Sequence, residues 1–177
     1  IDGSLSSQFV SALLMTAPSL SKDSLIQITG KKIVSKDYIT MTLQMLERAG
    51  VAVSPKGERS FAVKGSQTFQ GFKNFTVPSD YGLAAFLMAA ASIVPSAVEL
   101  RGCFDDGLIQ ADGHILKFLK TLGAKWTRAE NAIVMKGPFK LKGGTFSLQD
   151  CPDLVPIMAV IALFAKSPTV LKNIHHA

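Results

Sequence analysis

The chain has 177 residues, a formal net charge of +6 and a hydrophobic fraction of 47%. This length and composition suit one ordinary domain or parts of two, with enough apolar side chains for a core. The basic residues are scattered and are not interleaved with aromatic residues, which argues against a nucleic-acid surface. Polar residues interrupt the longest uncharged runs, residues 3–21 and 81–98, which argues against membrane spans.

The first predicted element is an uncharged helix that begins within LSSQFVSALLMTAP, residues 5–18. Two serines and a glutamine stand at its start, and two interpretations are open. Serine hydroxyls commonly cap helices by accepting hydrogen bonds from backbone N–H groups of the first turn. Hydroxyls, an amide and free N–H groups at a helix N-terminus can also form an anion site, especially for phosphate.

Four further elements follow in chain order. A strand-like run, LIQITG, ends at Gly30, and a charged helix with an apolar stripe lies within DYITMTLQMLERAG. The stretch VAVSPKGERSFAVKG predicts a hairpin with its turn at residues 55–57. GFKNFTV, residues 71–77, predicts one more strand, directly before Asp80.

The same order of elements returns at an offset of about 72 residues. The matching pairs are Leu14 with Leu87, Gly30 with Gly102, Gly50 with Gly123, and Gly65 with Gly137. A third copy begins at PDLVPIMAVIALFA and reaches the strand-like TVLKNI. The pattern predicts an α/β fold of repeated βαβαββ units, with two units and part of a third in this chain.

The two helices of each copy differ in charge. The first is uncharged in all three copies, so we expect it to be buried on nearly all sides. The second carries charges and an apolar stripe, so we expect it at the surface, ending at Gly50 or Gly123 through a C-cap. A second hairpin is predicted in KWTRAENAIVMKG, with its turn near Glu130 and Asn131.

The two cysteines, Cys103 and Cys151, are far apart and have no histidine at metal-ligand spacing. This predicts neither a disulfide framework nor a metal site. Unpaired thiols favour a reducing compartment, so we expect a cytoplasmic protein.

Four motifs in order, SSQF, SKDYI, CPDLVPIMAVIALFA and LKNI, carry a family resemblance. Together they resemble the 5-enolpyruvylshikimate-3-phosphate synthase family of enolpyruvyl transferases. The resemblance implies an inside-out α/β barrel, with residues 1–78 ending a first domain and residues 79–177 starting a second. It also implies that the chain is an internal piece of a longer protein, whose remainder is its partner.

The resemblance implies a carboxyvinyl transferase of the shikimate pathway, which leads to aromatic amino acids. Such an enzyme moves the enolpyruvyl group of phosphoenolpyruvate to the 5-hydroxyl of shikimate 3-phosphate and needs no metal or organic cofactor. We expect these two small molecules as partners, no nucleic acid and no membrane, and no activity in the isolated chain. The alternatives are the related UDP-N-acetylglucosamine enolpyruvyl transferase and a non-catalytic phosphate-binding module.

Site residues follow from the resemblance, position by position. It implies that the phosphate of shikimate 3-phosphate is held by Ser6, Ser7 and Ser35. Gln8 would lie between the two substrates, and Tyr38 would contact substrate.

Two further residues match the family's pattern near the end of the chain. Asp153 would bind the ring hydroxyls and is the candidate for proton transfer at the reacting 5-hydroxyl, because attack of a hydroxyl on an enol ether needs a positioned base. The other interpretation of Asp153 is an acid in a first helical turn, stabilised by the helix dipole. His176 stands where the family has a polar contact to substrate.

Overall fold

A computed structural model describes residues 1–104 and 107–175. The chain divides into two units, Ile1–Phe75 and Thr76–Ala177, each with its own helices and sheet. None of the helices in the described ranges is both long and apolar enough to cross a bilayer.

The first unit contains two helices and a three-stranded sheet. Its elements in chain order are α1 (Ser7–Thr16), β1 (Ser24–Gln27), α2 (Lys36–Arg48), β2 (Val53–Pro55) and β3 (Ser60–Val63). The strand order is β1-β3-β2, and both pairings are antiparallel. Phe61 is the partner of both Ile26 and Pro55, so β3 is the central strand. The helices pack on this sheet through one apolar core.

That core draws on every element of the first unit. Val10 and Leu14 come from one face of α1, and Leu46 comes from the apolar stripe of α2. Phe61 and Val63 come from β3, where buried and half-exposed residues alternate. Alternation in the strand and three- or four-residue spacing in the helices place these side chains on facing surfaces.

The second unit repeats some of these elements and adds a second sheet. Its elements are α3 (Tyr81–Ile93), β4 (Ser96–Arg101), α4 (His114–Leu122), β5 (Trp126–Ala129), β6 (Ala132–Gly137), β7 (Thr145–Ser147), α5 (Val155–Ala162) and β8 (Val170–Lys172). One sheet has the order β4-β6-β5 with antiparallel pairings, and β7 pairs with β8 in parallel.

Local signals in the sequence predict several of these elements correctly. Both hairpins are present, and residue 57 in the first turn has a φ of 87° that glycine adopts readily. Gly123, with a φ of 92°, ends α4, and Gly50, with a φ of 79°, follows the C-cap of α2. The prediction that a glycine lies at the end of α2 and of α4 is therefore confirmed, and so is the prediction of the two hairpins.

The predicted strand GFKNFTV is wrong, because residues 71–77 form no strand. Gly71 has a φ of 70°, which bends the backbone away from an extended conformation. Phe72 and Phe75 stack on each other with ring centroids 4.9 Å apart, instead of alternating across a sheet. The preceding residue, Gln70, donates its backbone N–H to the carbonyl of Ala49 just after α2.

Within these 177 residues, each uncharged helix is buried on one side and exposed on the other, so the expected burial on nearly all sides is not seen. In α1, Leu14 is inaccessible to solvent, whereas Phe9 on the other face is 55% exposed. In α3, Met88 is inaccessible and Leu83 is 70% exposed. The same contrast holds in α5, where Ile161 is buried and Val160 is about half exposed. Each helix packs one apolar face against its own unit, and the other face is left accessible.

Candidate functional site

The segments that lead into α1 and α2 run side by side in the first unit. The backbone N–H of Val34, just before α2, donates to the carbonyl of Gly3 at 3.0 Å. Gly3 in turn donates to the carbonyl of Thr29 at 3.0 Å, and Thr29 donates to the carbonyl of Ile1 at 2.7 Å. These three hydrogen bonds place the start of α1 next to the start of α2.

The two helices point in the same direction. Ser11 in α1 and Thr42 in α2 share a hydrogen bond of 2.8 Å between their hydroxyl groups, and each lies beyond the first turn of its helix. Because the chains also meet before the helices, at Gly3 and Val34, the two N-termini lie at the same end of the pair. Each N-terminus carries a partial positive charge and unsatisfied N–H groups, so this end of the unit favours an anion.

Ser6 and Ser7 stand at the start of α1. Ser6 is the N-cap residue, and its Oγ accepts a hydrogen bond from the backbone N–H of Gln8 at 3.2 Å. The capping interpretation is therefore correct for Ser6, whose hydroxyl hydrogen can still be donated to another group. Ser7 is the first helical residue and is 3% exposed, whereas Gln8 is exposed.

Ser35 precedes α2 in an unusual conformation. It is the N-cap residue with a φ of 52°, and its side chain makes no capping hydrogen bond. A left-handed conformation is uncommon for a residue with a Cβ and costs about 1–3 kcal/mol, and such strain concentrates at functional sites. Ser35 is 6% exposed, and its carbonyl accepts from the backbone N–H of the half-buried Tyr38 at 3.2 Å.

Sequence reasoning passed over three lysines near Ser35. Lys31, Lys32 and Lys36 all lie within four residues of it in the chain, and none of the three is buried. Ammonium groups strengthen hydrogen bonding to a phosphate. The signal that could have found them is the stretch GKKIVSK, in which basic residues flank the serine.

Asp2 is an acidic residue beside the same loops. Its carboxylate accepts hydrogen bonds from the hydroxyl of Ser4 at 2.6 Å and from the backbone N–H of Ser4 at 2.8 Å. These two hydrogen bonds, the hydroxyl first, hold the pKa of Asp2 below its usual value. A Cβ at Gly30 would collide with this carboxylate, so glycine is the residue that fits there.

Two cavities in the first unit have linings that do not include Ser6, Ser7 or Ser35. One, of about 610 Å³, lies between α2 and β2 and is lined by residues that include Thr40, Leu43, Glu47 and Val53. The other, of about 280 Å³, is largely apolar and is lined by residues that include Leu13, Leu20 and Leu25. Binding of a phosphate at helix N-termini does not require a deep cavity, because exposed backbone N–H groups and hydroxyls can donate to its oxygens.

Asp153 lies in the second unit. It is exposed and sits in the 3-10 turn Pro152–Leu154, which leads from β7 into α5. A carboxylate at this place is near the N-terminal end of the helix, as expected for a first-turn acid. His176 lies outside the described residues. The described residues include no group of three His, Cys, Asp or Glu side chains that could hold a metal ion.

Comparison with known proteins decides which family has this arrangement. The model of the family described as EPSP synthase (3-phosphoshikimate 1-carboxyvinyltransferase) matches residues 1–177. The chain belongs to the EPSP synthase family. Two curated relatives each match almost the whole chain.

The chain is 38% identical over 178 residues to a 3-phosphoshikimate 1-carboxyvinyltransferase of Pseudoalteromonas translucida, covering 99% of this chain and 41% of that protein. It is 33% identical over 180 residues to the protein of the same name from Methanococcus aeolicus, again covering 99% and 41%. The chain therefore spans about two fifths of the length of these EPSP synthase relatives.

The solved structures share the α/β architecture. EPSP synthase from Acinetobacter baumannii matches with a TM-score of 0.69 and 25% identity, over 97% of this chain and 40% of that one. The enolpyruvyl transferase NikO from Streptomyces tendae matches with a TM-score of 0.65 and 16% identity, over 90% of this chain and 37% of that one. At that identity the second match shows a common fold alone.

Proposed function

We propose that the chain is part of a 3-phosphoshikimate 1-carboxyvinyltransferase. The enzyme joins the 5-hydroxyl oxygen of shikimate 3-phosphate to C2 of phosphoenolpyruvate, while C3 gains a proton. The resulting tetrahedral adduct then loses phosphate and a proton to give the enolpyruvyl ether. The proposal is supported by the family match over residues 1–177 and by the name of the Pseudoalteromonas translucida relative.

One observation carries the assignment of the phosphate site. The N-termini of α1 and α2 lie together, joined by the hydrogen bond from Val34 to Gly3, and each begins with serine. We assign the phosphate of shikimate 3-phosphate to the hydroxyls of Ser6, Ser7 and Ser35. Hydrogen bonds to a charged phosphate are about twice as strong as neutral ones, and two helix N-termini add favourable dipoles.

The remaining roles concern the rest of the substrate and the chemistry. Gln8 is assigned to the space between the two substrates, and Tyr38 to a contact with shikimate 3-phosphate. Asp153 is assigned to the ring hydroxyls and to removal of the proton from the 5-hydroxyl, since an exposed carboxylate can act as a general base. His176 is assigned a polar contact with substrate.

The finer architecture and location belong to the same proposal. We assign residues 1–78 to the end of a first domain and residues 79–177 to the start of a second, built from repeated βαβαββ units as an inside-out α/β barrel. The order helix, strand, helix, strand, strand, which occurs once in each unit from α1 and from α3, supports this assignment. Cys103 and Cys151 form no disulfide, which favours a reducing compartment such as the cytoplasm.

The test is phosphate release by the full-length protein supplied with phosphoenolpyruvate and one of two acceptors. Turnover with shikimate 3-phosphate and none with UDP-N-acetylglucosamine supports the proposal. The reverse preference assigns the protein to the related transferase. Binding of shikimate 3-phosphate without any turnover leaves a phosphate-binding module and contradicts the enzyme proposal.

A polypeptide limited to these 177 residues is expected to bind shikimate 3-phosphate weakly and to show no turnover. Phosphoenolpyruvate is multiply anionic, and the transition state needs preorganised positive groups around it. The chain spans only 41% of the length of its Pseudoalteromonas translucida relative, so most of such a site would come from the rest of the protein.

A further inference from the structure

Arg59 is fixed at the edge of the sheet in the first unit, next to the loop that precedes α2. Its backbone carbonyl accepts a hydrogen bond from Ile28 at 2.7 Å. This bond continues the pairing of β1 with β3 beyond its last residue pair, Gln27 and Ser60. The Cα of Arg59 therefore has a defined position opposite the residue that follows β1.

The guanidinium group of Arg59 holds two successive carbonyls of that loop. Nη1 donates to the carbonyl of Gly30 at 2.9 Å, and Nη2 donates to the carbonyl of Lys31 at 3.3 Å. A guanidinium is planar and presents its donors in a fixed fork, so it restrains two acceptors at once. An ammonium group could not reproduce this paired geometry.

The restrained loop leads directly to Ser35. It begins at Gly30, whose φ is 90°, and it ends at Ser35, whose φ is 52°. Between them, Val34 is tied to Gly3 by its backbone N–H. Ser35 keeps its left-handed conformation only if its surroundings hold it, because a residue with a Cβ has lower-energy alternatives. Arg59 supplies that restraint from the hairpin.

We propose that Arg59 is a positioning residue for the phosphate site, acting through residues 30–34 to hold Ser35 beside the start of α1. This inference rests on the proposed function, because it takes Ser35 as a phosphate ligand. Arg59 itself contacts backbone carbonyls, so it shapes the site without being assigned a contact with substrate. Its loss is expected to weaken binding of shikimate 3-phosphate more than it slows the chemical step.

The chain offers a matched control in Arg48. Its guanidinium lies 5.9 Å from the centroid of the Phe75 ring, and it is the last residue of α2. Arg48 therefore stands at the other end of α2 from Ser35. Replacing either arginine by methionine removes the same charge and leaves a side chain of similar length, so R48M controls for the loss of charge without removing a contact to the loop.

The experiment compares R59M, R59K and R48M in the full-length protein. Two quantities are measured: backbone amide hydrogen exchange at Val34, and the kinetic constants with shikimate 3-phosphate. For R59M we expect exchange at Val34 to be about tenfold faster, KM for shikimate 3-phosphate about tenfold higher and kcat within about twofold of wild type. R59K is expected to fall between R59M and wild type, and R48M to match wild type.

Three results would overturn the proposal: unchanged exchange and KM in R59M, wild-type values in R59K beside a changed R59M, or an equal rise of KM in R48M. If R59M does not fold, a raised KM in a stably folded R59K supports the proposal and an unchanged KM overturns it. Failure of the proposed function is distinguishable, because a wild-type protein that does not convert shikimate 3-phosphate refutes that function. The exchange of Val34 in R59M still decides whether Arg59 anchors the loop.

Discussion

The backbone N–H of Val34 donates to the carbonyl of Gly3 at 3.0 Å and joins the segments before α1 and α2. Through this bond, residues about thirty positions apart in sequence bring two helix N-termini to one place. The proposed phosphate site uses the serines at both N-termini, so that one anion would meet two helix N-termini instead of one.

Substitutions of Ser35 can separate an effect on protein stability from an effect on substrate binding. We expect S35G to be about 1 kcal/mol more stable than S35A, because glycine adopts a φ of 52° without the steric cost of a Cβ. Both substitutions remove the hydroxyl, so both are expected to weaken binding of shikimate 3-phosphate about tenfold. Denaturant unfolding and calorimetric titration of the full-length protein measure the two effects.

The control for Ser35 is S54A, which removes an exposed hydroxyl from β2 in the same unit. It is expected to leave binding unchanged. Equal affinities for wild type and S35A would remove Ser35 from the phosphate site.

Asp153 is the residue proposed to remove the proton from the 5-hydroxyl. We expect D153A to lower kcat of the full-length enzyme by about 10²–10⁴-fold, the usual contribution of a general acid or base. The exposed Glu130, in the β5–β6 turn of the same unit, supplies the control E130Q, for which kcat stays within about twofold of wild type. A D153A enzyme with near-normal kcat would show that proton transfer does not depend on this carboxylate.

Gly30, in the loop before α2, and Gly57, in the turn between β2 and β3, form a matched pair for testing how that loop packs. Both have left-handed φ values, 90° and 87°, but a Cβ at Gly30 would collide with the Asp2 carboxylate, whereas a Cβ at Gly57 would meet nothing within 4 Å. We expect G57A to lower the free energy of unfolding by about 1 kcal/mol, the cost of placing alanine in this conformation. G30A should cost more, and equal losses in denaturant unfolding would contradict the packing of Gly30 against Asp2.

The hairpins and helix ends could be predicted from the sequence because their signals are local. Glycine stands at two of the positions where φ is positive: Gly57 in the first hairpin turn and Gly123 after α4. The accessible faces of the uncharged helices could not be predicted in the same way. Burial of Phe9 or Leu83 depends on what surface lies opposite, and a helix sequence does not state which neighbours are present.

The candidate site was predicted in part. The family motifs point to Ser6, Ser7 and Ser35, but they do not indicate the left-handed conformation of Ser35. The role of Arg59 could not be predicted, because its hydrogen bond to Gly30 joins residues 29 positions apart and depends on the pairing of β1 with β3. Such contacts leave no periodic or spacing signal in the chain.

The pKa of Asp2 measures whether the hydrogen bonds from Ser4, in the segment before α1, are formed. This pKa is lowered, so the hydrogen bonds from Ser4 contribute stability above the usual aspartate pKa and lose it as pH falls through the folded-state pKa. S4A removes the hydroxyl donor, which is the largest cause of the shift, and should raise the pKa of Asp2 toward its ordinary value. An NMR titration of the Asp2 carboxyl carbon measures this, and an unchanged pKa would contradict the hydrogen bond.

The most direct measurement is a crystal structure of the full-length protein with shikimate 3-phosphate bound. The proposal predicts phosphate oxygens within hydrogen-bonding distance of the hydroxyls of Ser6, Ser7 and Ser35, at the adjoining N-termini of α1 and α2. A phosphate bound elsewhere, with the hydroxyls of Ser7 and Ser35 taking no part, would contradict it.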